Sequence, residues 1–177
     1  VPTEIHENFE CVVFHTAPLP YGRGGTPIQN LILRGFSHSP VCALKMTPVV
    51  DGGPIYGKVE ITLEGRLVDI LKRINRAVNT LMCDILTTQP EPKSQNGKVY
   101  KFNRLRGDDN QIPENLSLNE LYDRIRMLDD DSYPNSFLFT ESYRLEFFNV
   151  CKNDDSIDCQ VRLTLKHKEQ TARSRRR

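Results

Sequence analysis

The chain has 177 residues, 38% of them hydrophobic and 27% charged, which suits one domain or one domain with an appendage. No apolar run is long enough for a transmembrane helix, and no basic stretch leads into an apolar one, so neither a membrane span nor a signal peptide is expected. The net charge of +1 hides an asymmetry: Arg173, Arg175, Arg176 and Arg177 crowd the C-terminus, and without them 20 Lys and Arg face 23 Asp and Glu, an acidic body ill-suited to nucleic acid.

The elements follow in chain order. The run from Phe9 to His15 reads as a buried strand. A Gly/Pro-rich loop from Thr16 to Thr26 follows, then a short helix opened by Pro27 and stopped by Gly35. Val41 to Met46 reads as a strand, Asp51-Gly52-Gly53 as a turn, and the alternation of Ile55, Gly57, Val59, Ile61 and Leu63 as a second, antiparallel strand. Leu67, Ile70, Leu71, Ile74, Val78, Leu81 and Ile85 recur at helical spacing. Thr87 to Gly97 is rich in Pro, Ser and Gly and marks the expected boundary. Beyond it come a short strand from Val99 to Phe102 and a helix capped by Ser117 and Glu120. Three strands close the pattern. The last places Ile157, Cys159, Val161, Leu163 and Leu165 on one face, with a hairpin loop at Lys152-Asn153-Asp154-Asp155. From Lys166 onward the composition predicts a disordered basic tail, read first as a solvated terminus, with contact to RNA or a nuclear import receptor as the alternative.

The residue types narrow the chemistry. The four histidines have no metal-ligand spacing and no Cys/His cluster accompanies them, so no metal is expected. The five cysteines form no CxxC and sit mostly within apolar segments, as reduced core cysteines of a cytoplasmic protein do. Gly22-Arg23-Gly24-Gly25 lacks the Lys-Ser/Thr ending of a phosphate loop. His15 ends a strand and opens a glycine loop. At that position an imidazole moves a proton or meets a developing oxyanion, and a merely packing histidine fits equally. Asp51 is accounted for by its turn alone.

A resemblance adds weight to both. The stretch from His15 to Gln29, with Pro18-Leu19-Pro20, Arg23-Gly24-Gly25 and Pro27, is similar to the "His-x-Ser-Leu-Leu-Pro-x-x-Arg-Gly-x-x-Pro" loop of the folate-dependent formyltransferases, which include methionyl-tRNA and sugar N-formyltransferases. Lys45-Met46 with Val50-Asp51-Gly52-Gly53 resembles the family's "Met…Leu-Asp-x-Gly" segment. Phe102-Asn103-Arg104 with Ile112, and Ile125-Arg126-Met127-Leu128 with Tyr133-Pro134-Asn135-Ser136-Phe137, resemble its C-terminal signatures.

The resemblance implies transfer of a formyl group from N10-formyltetrahydrofolate to a primary amine. It implies His15 as base or oxyanion partner and Asp51 as the carboxylate that holds the imidazole. The loop with Pro18, Leu19, Pro20, Arg23, Gly24 and Gly25 would shape the folate and amine site, with Arg23 meeting an anionic group. It also implies an α/β class: a partial Rossmann-like domain over 1–88, a linker over 89–98, a small α+β appendage with antiparallel strands over 99–165, and the tail over 166–177. Two departures stand out. Val13 occupies the place of the family's catalytic Asn, and only eight residues precede Phe9 where the family's first half is expected, as in a fragment. Ten Lys and Arg against thirteen Asp and Glu between Lys93 and Arg162 favour a small acceptor, an amino-sugar carried on a nucleotide. A methionyl-tRNA acceptor and a non-catalytic binding module of the same fold are the alternatives, and a homodimer stays open.

Overall fold

A computed structural model describes residues 3–166. The chain divides into two compact units, one running to Leu105 and the other beginning at Arg106. In the first, α1 (Thr3–Asn8) precedes β1 (Val12–Thr16), β2 (Tyr21–Arg23), α2 (Pro27–Ile32), β3 (His38–Lys45), β4 (Ile55–Thr62), α3 (Leu67–Thr88) and β5 (Tyr100–Lys101). β1, β3 and β4 lie side by side in that order, antiparallel throughout, with His15 opposite Cys42 and Val13 opposite Leu44.

The strand expected from Phe9 begins only at Val12. Phe9 is 69% exposed and its N–H bonds back to Ile5 O, so it closes α1 instead. Among the described residues β1 has β3 as its single neighbour in this sheet, and Val12 to His15 are half-buried as an edge strand's residues are.

The core of this unit follows from the amphipathic stripe of α3. Leu67 and Ile70 lie fully buried with Leu44 and Leu63, while Leu31 and Ile32 are sealed from α2. Each such side chain contributes about 1.5–3 kcal/mol by leaving water. The stripe fades along the helix: Met82 and Leu86 near its end are exposed.

The segment after α3 departs most from expectation. Residues 89–98 are not a free linker. Lys93 exchanges backbone hydrogen bonds with Ile55, and β5 pairs in parallel with β2, so the chain stays bound to the first unit up to Leu105. The strand expected from Val99 to Phe102 shrinks to Tyr100–Lys101.

The second unit has a 3-10 turn (Gly107–Asn110), α4 (Leu118–Arg126) and an antiparallel sheet of β6 (Ser136–Phe139), β7 (Tyr143–Lys152) and β8 (Ile157–Leu165). The capping box forms as expected: Ser117 Oγ accepts from the Glu120 N–H, and the Glu120 carboxylate accepts from the Ser117 N–H at 2.8 Å. The buried carboxylate of Asp129 accepts from the N–H groups of Asn149 and Val150, at 2.9 and 2.8 Å, where β7 bulges. Ile125, Met127, Leu128, Phe137 and Val150 fill the core. The alternation of β8 is present, but Leu163 and Leu165 on its apolar face are 61% and 65% exposed. The molecule is thus mixed α/β with antiparallel strands in its second unit. No helix among the described residues is long and apolar enough to cross a membrane. The expected tail beyond Lys166 lies outside the described residues, while the Lys166 N–H bonds Ser142 O.

Candidate active site

β1 delivers His15 to the point where the glycine loop begins. A carbonyl only accepts, so the Nε2–H of His15 donates to Gly22 O at 2.8 Å, and the loop's own backbone orients the ring. Nδ1 then faces Asp51 Oδ2 at 3.5 Å. The same oxygen accepts the Gly24 N–H at 2.7 Å. His15 and Asp51, 36 positions apart, therefore share one small site. Their side chains are 9% and 18% exposed, so the pair is shielded but the carboxylate is reachable.

The turn that carries Asp51 is tightly built. Asp51 has φ 50°, in the left-handed region. Gly53 is packed so closely that a Cβ there would lie 1.8 Å from Lys45 O, which only glycine avoids. A residue that sequence reasoning missed holds this turn. Gln95 donates through Nε2 to both Asp51 O and Gly53 O at 2.8 Å, and its Oε1 accepts from Arg23 Nε at 3.1 Å and Nη2 at 2.7 Å. Gln95 sits in the Pro/Ser/Gly-rich connection, where no periodicity points to it.

The remaining loop residues divide. Leu19 is buried with Ala17, Cys42 and Leu44, and Pro20 is buried beside it, so these two support the loop from beneath. Pro18 is half-buried, its carbonyl accepting from the Tyr21 N–H. Gly25, expected to let a ligand approach, is pressed on the Phe102 backbone, where a Cβ would lie 2.7 Å from Phe102 O. At Gly24 the nearest atom to such a Cβ is 3.7 Å away, so this glycine has the more open face. Arg23 is not a loose loop cation; its guanidinium is committed to Gln95.

Val13, where the resemblance implies an Asn, packs against the apolar cluster of Ala17, Leu19, Cys42 and Leu44, and its side chain has no group to donate. Cys42, in register with His15, is buried. Burial pushes its thiol up to about 11, and its Sγ–H meets Ala17 O at 3.4 Å, so it is a packing group. The expectation of core cysteines holds for Cys42 alone: Cys83 and Cys151 are exposed, Cys11 and Cys159 intermediate, all five unpaired. Among the described residues no three or more His, Cys, Asp or Glu side chains converge where they could hold a metal ion.

Most of the chain resembles a solved protein. It is 37% identical to a methionyl-tRNA formyltransferase from Clostridium thermocellum, covering 93% of this chain and 73% of that one, with a TM-score of 0.90. The chain belongs to the folate-dependent formyltransferase family. A family model for the C-terminal domain of methionyl-tRNA formyltransferase matches residues 107–164, within the second unit. The methionyl-tRNA formyltransferase of Malacoplasma penetrans is 24% identical over 151 residues, 80% of this chain and 46% of its own length. The chain thus spans less than half the length of these curated relatives. An N-formyltransferase from Helicobacter canadensis, solved with folinic acid and dTDP-3-aminofucose, shares the fold at 17% identity and a TM-score of 0.58, over 85% of this chain and 66% of that one.

Proposed function

We propose that this chain carries the catalytic pair of an enzyme that moves a formyl group from a 10-formylfolate to a primary amine. The observation that supports it is the convergence of His15 and Asp51, with the carboxylate fixed by the Gly24 N–H and the imidazole by Gly22 O. The donor supplies an activated formyl carbon; the amine nitrogen bonds to that carbon, the bond to the folate nitrogen breaks, and that nitrogen leaves protonated. This chemistry needs a group that takes the amine's proton and a partner for the transient oxyanion. His15 is the proton carrier, with Asp51 facing the nitrogen opposite the one held by Gly22 and stabilising the imidazolium. Gly24, the more open glycine, offers the backbone against which the donor would lie. Arg23, tied to Gln95, shapes the loop's rim. The setting expected for this reaction is the cytoplasm.

For the acceptor, methionyl-tRNA has the stronger support, because the C. thermocellum protein is 37% identical and the C-terminal family model covers 107–164. A nucleotide-linked amino-sugar is the second reading, favoured by the thirteen acidic against ten basic side chains between Lys93 and Arg162. The test supplies 10-formyltetrahydrofolate with methionyl-tRNA or with a dTDP-amino-sugar and measures formylated product. Product with one acceptor assigns the substrate. Folate binding without product from either would replace the enzyme with a binding module.

A further inference from the structure

We infer that Gln95 is a positioning residue of this site, clamping the Asp51 turn to the glycine loop so that the carboxylate faces His15. This rests on the formyl-transfer reading for its kinetic consequence, though not for its structural one. Three stretches distant in sequence meet on one amide. Asp51 and Gly53 present two carbonyls with the Gln95 Nε2 group between them, 2.8 Å from each. The opposite end of the amide accepts Arg23 through Nε and Nη2. Gln95 is the side chain whose two ends suit both demands: an amide carries donors and an acceptor, whereas a carboxylate only accepts and an ammonium only donates. Arg23 lies next to Gly24, whose N–H holds Asp51 Oδ2, so the clamp closes a ring: Asp51 carboxylate to Gly24, Arg23 to Gln95, and Gln95 back to the Asp51 carbonyl. Loss of the amide opens this ring where Asp51 sits at a positive φ and frees the turn to relax. His15 has Gly22 O on one nitrogen and Asp51 on the other, with Cys42 alongside on β3, so its ring environment reports any motion of the carboxylate.

The test compares the full chain with Gln95→Met, which keeps the length and removes every hydrogen bond, and Gln95→Glu, which keeps an acceptor for Arg23 and sets it against two carbonyls. Ring 15N chemical shifts of His15 at fixed pH are the first readout, and kcat against KM for formyl transfer the second. Both variants are expected to retain the wild-type thermal transition and to move the His15 ring signals, with kcat falling on the order of 10²-fold at little change in KM. Unmoved ring signals in both folded variants would overturn the assignment, as would unfolding of both, which would make Gln95 a folding residue. Should the wild-type chain transfer no formyl group, the formyl-transfer reading falls while the ring signals still decide the role of Gln95.

Discussion

His15→Ala removes the proposed proton carrier and leaves Asp51 bound to Gly24. Asp51→Asn keeps an oxygen for that N–H but loses the charge facing the imidazole. Each is expected to lower formyl transfer by roughly 10²–10⁴-fold with the fold intact, a circular-dichroism spectrum serving as control. Restoring the family's residue at Val13 has a different consequence. Val13→Asn would put an amide among Ala17, Leu19, Cys42 and Leu44, none of which offers it a polar side chain except a thiol already turned to Ala17 O. That change is expected to cost roughly 1–3 kcal/mol in urea unfolding. A fully stable Val13→Asn variant would mean the cluster opens readily beneath the loop. At this scale His15 and Asp51 were legible because their neighbours resemble a family loop and turn. Gln95 was not, since a glutamine amid Pro, Ser and Gly carries no local sign of the distant groups it joins.

Helix α4 shows how far one element can be read in advance. Ser117 and Glu120 at a spacing of three announce the cap, and the structure supplies both of its hydrogen bonds. Ser117→Ala is expected to destabilise the second unit by about 1 kcal/mol, checked by denaturant unfolding followed in that unit. The Glu120 carboxyl is held below its ordinary range, first by the Ser117 hydroxyl and then by the Ser117 N–H. A depressed folded value means the carboxylate's contribution is present above its unfolded pKa and lost as pH falls through the folded one. Acid should therefore narrow the gap between wild type and Glu120→Gln, which a pH series of melting temperatures would reveal. Other elements were less legible. β8 shows its alternation clearly, yet alternation says which residues share a face and not whether anything covers it, and Leu163 and Leu165 stand open. β2 and β5 have three and two residues, too short for any period, and their pairing depends on contacts across nearly 80 positions.

Across the whole molecule, charge and the acceptor question meet. A tRNA acceptor must be held through its phosphates, so its KM should climb steeply with salt; six to ten such contacts lose about 10³–10⁵ in affinity between 50 and 200 mM. A nucleotide-sugar with two phosphates should show a far shallower rise. Steady-state kinetics at several ionic strengths separate the two, and deleting residues 171–177 tells whether the terminal arginines supply the contacts.

The binding of residues 93–105 to the first unit bears on how this protein tolerates being divided. Lys93 is laced to Ile55, the Phe102 N–H to Arg23 O, the Tyr100 N–H to Pro20 O, the Leu105 N–H to Thr26 Oγ1 and the Asn30 amide to Asn103 O. Composition invites a gene designer, a protease or a splice junction to cut between residues 89 and 98. A truncation there would leave the glycine loop's own sequence whole and still remove the partners that Tyr100, Phe102, Asn103 and Leu105 give to that loop and to Asn30.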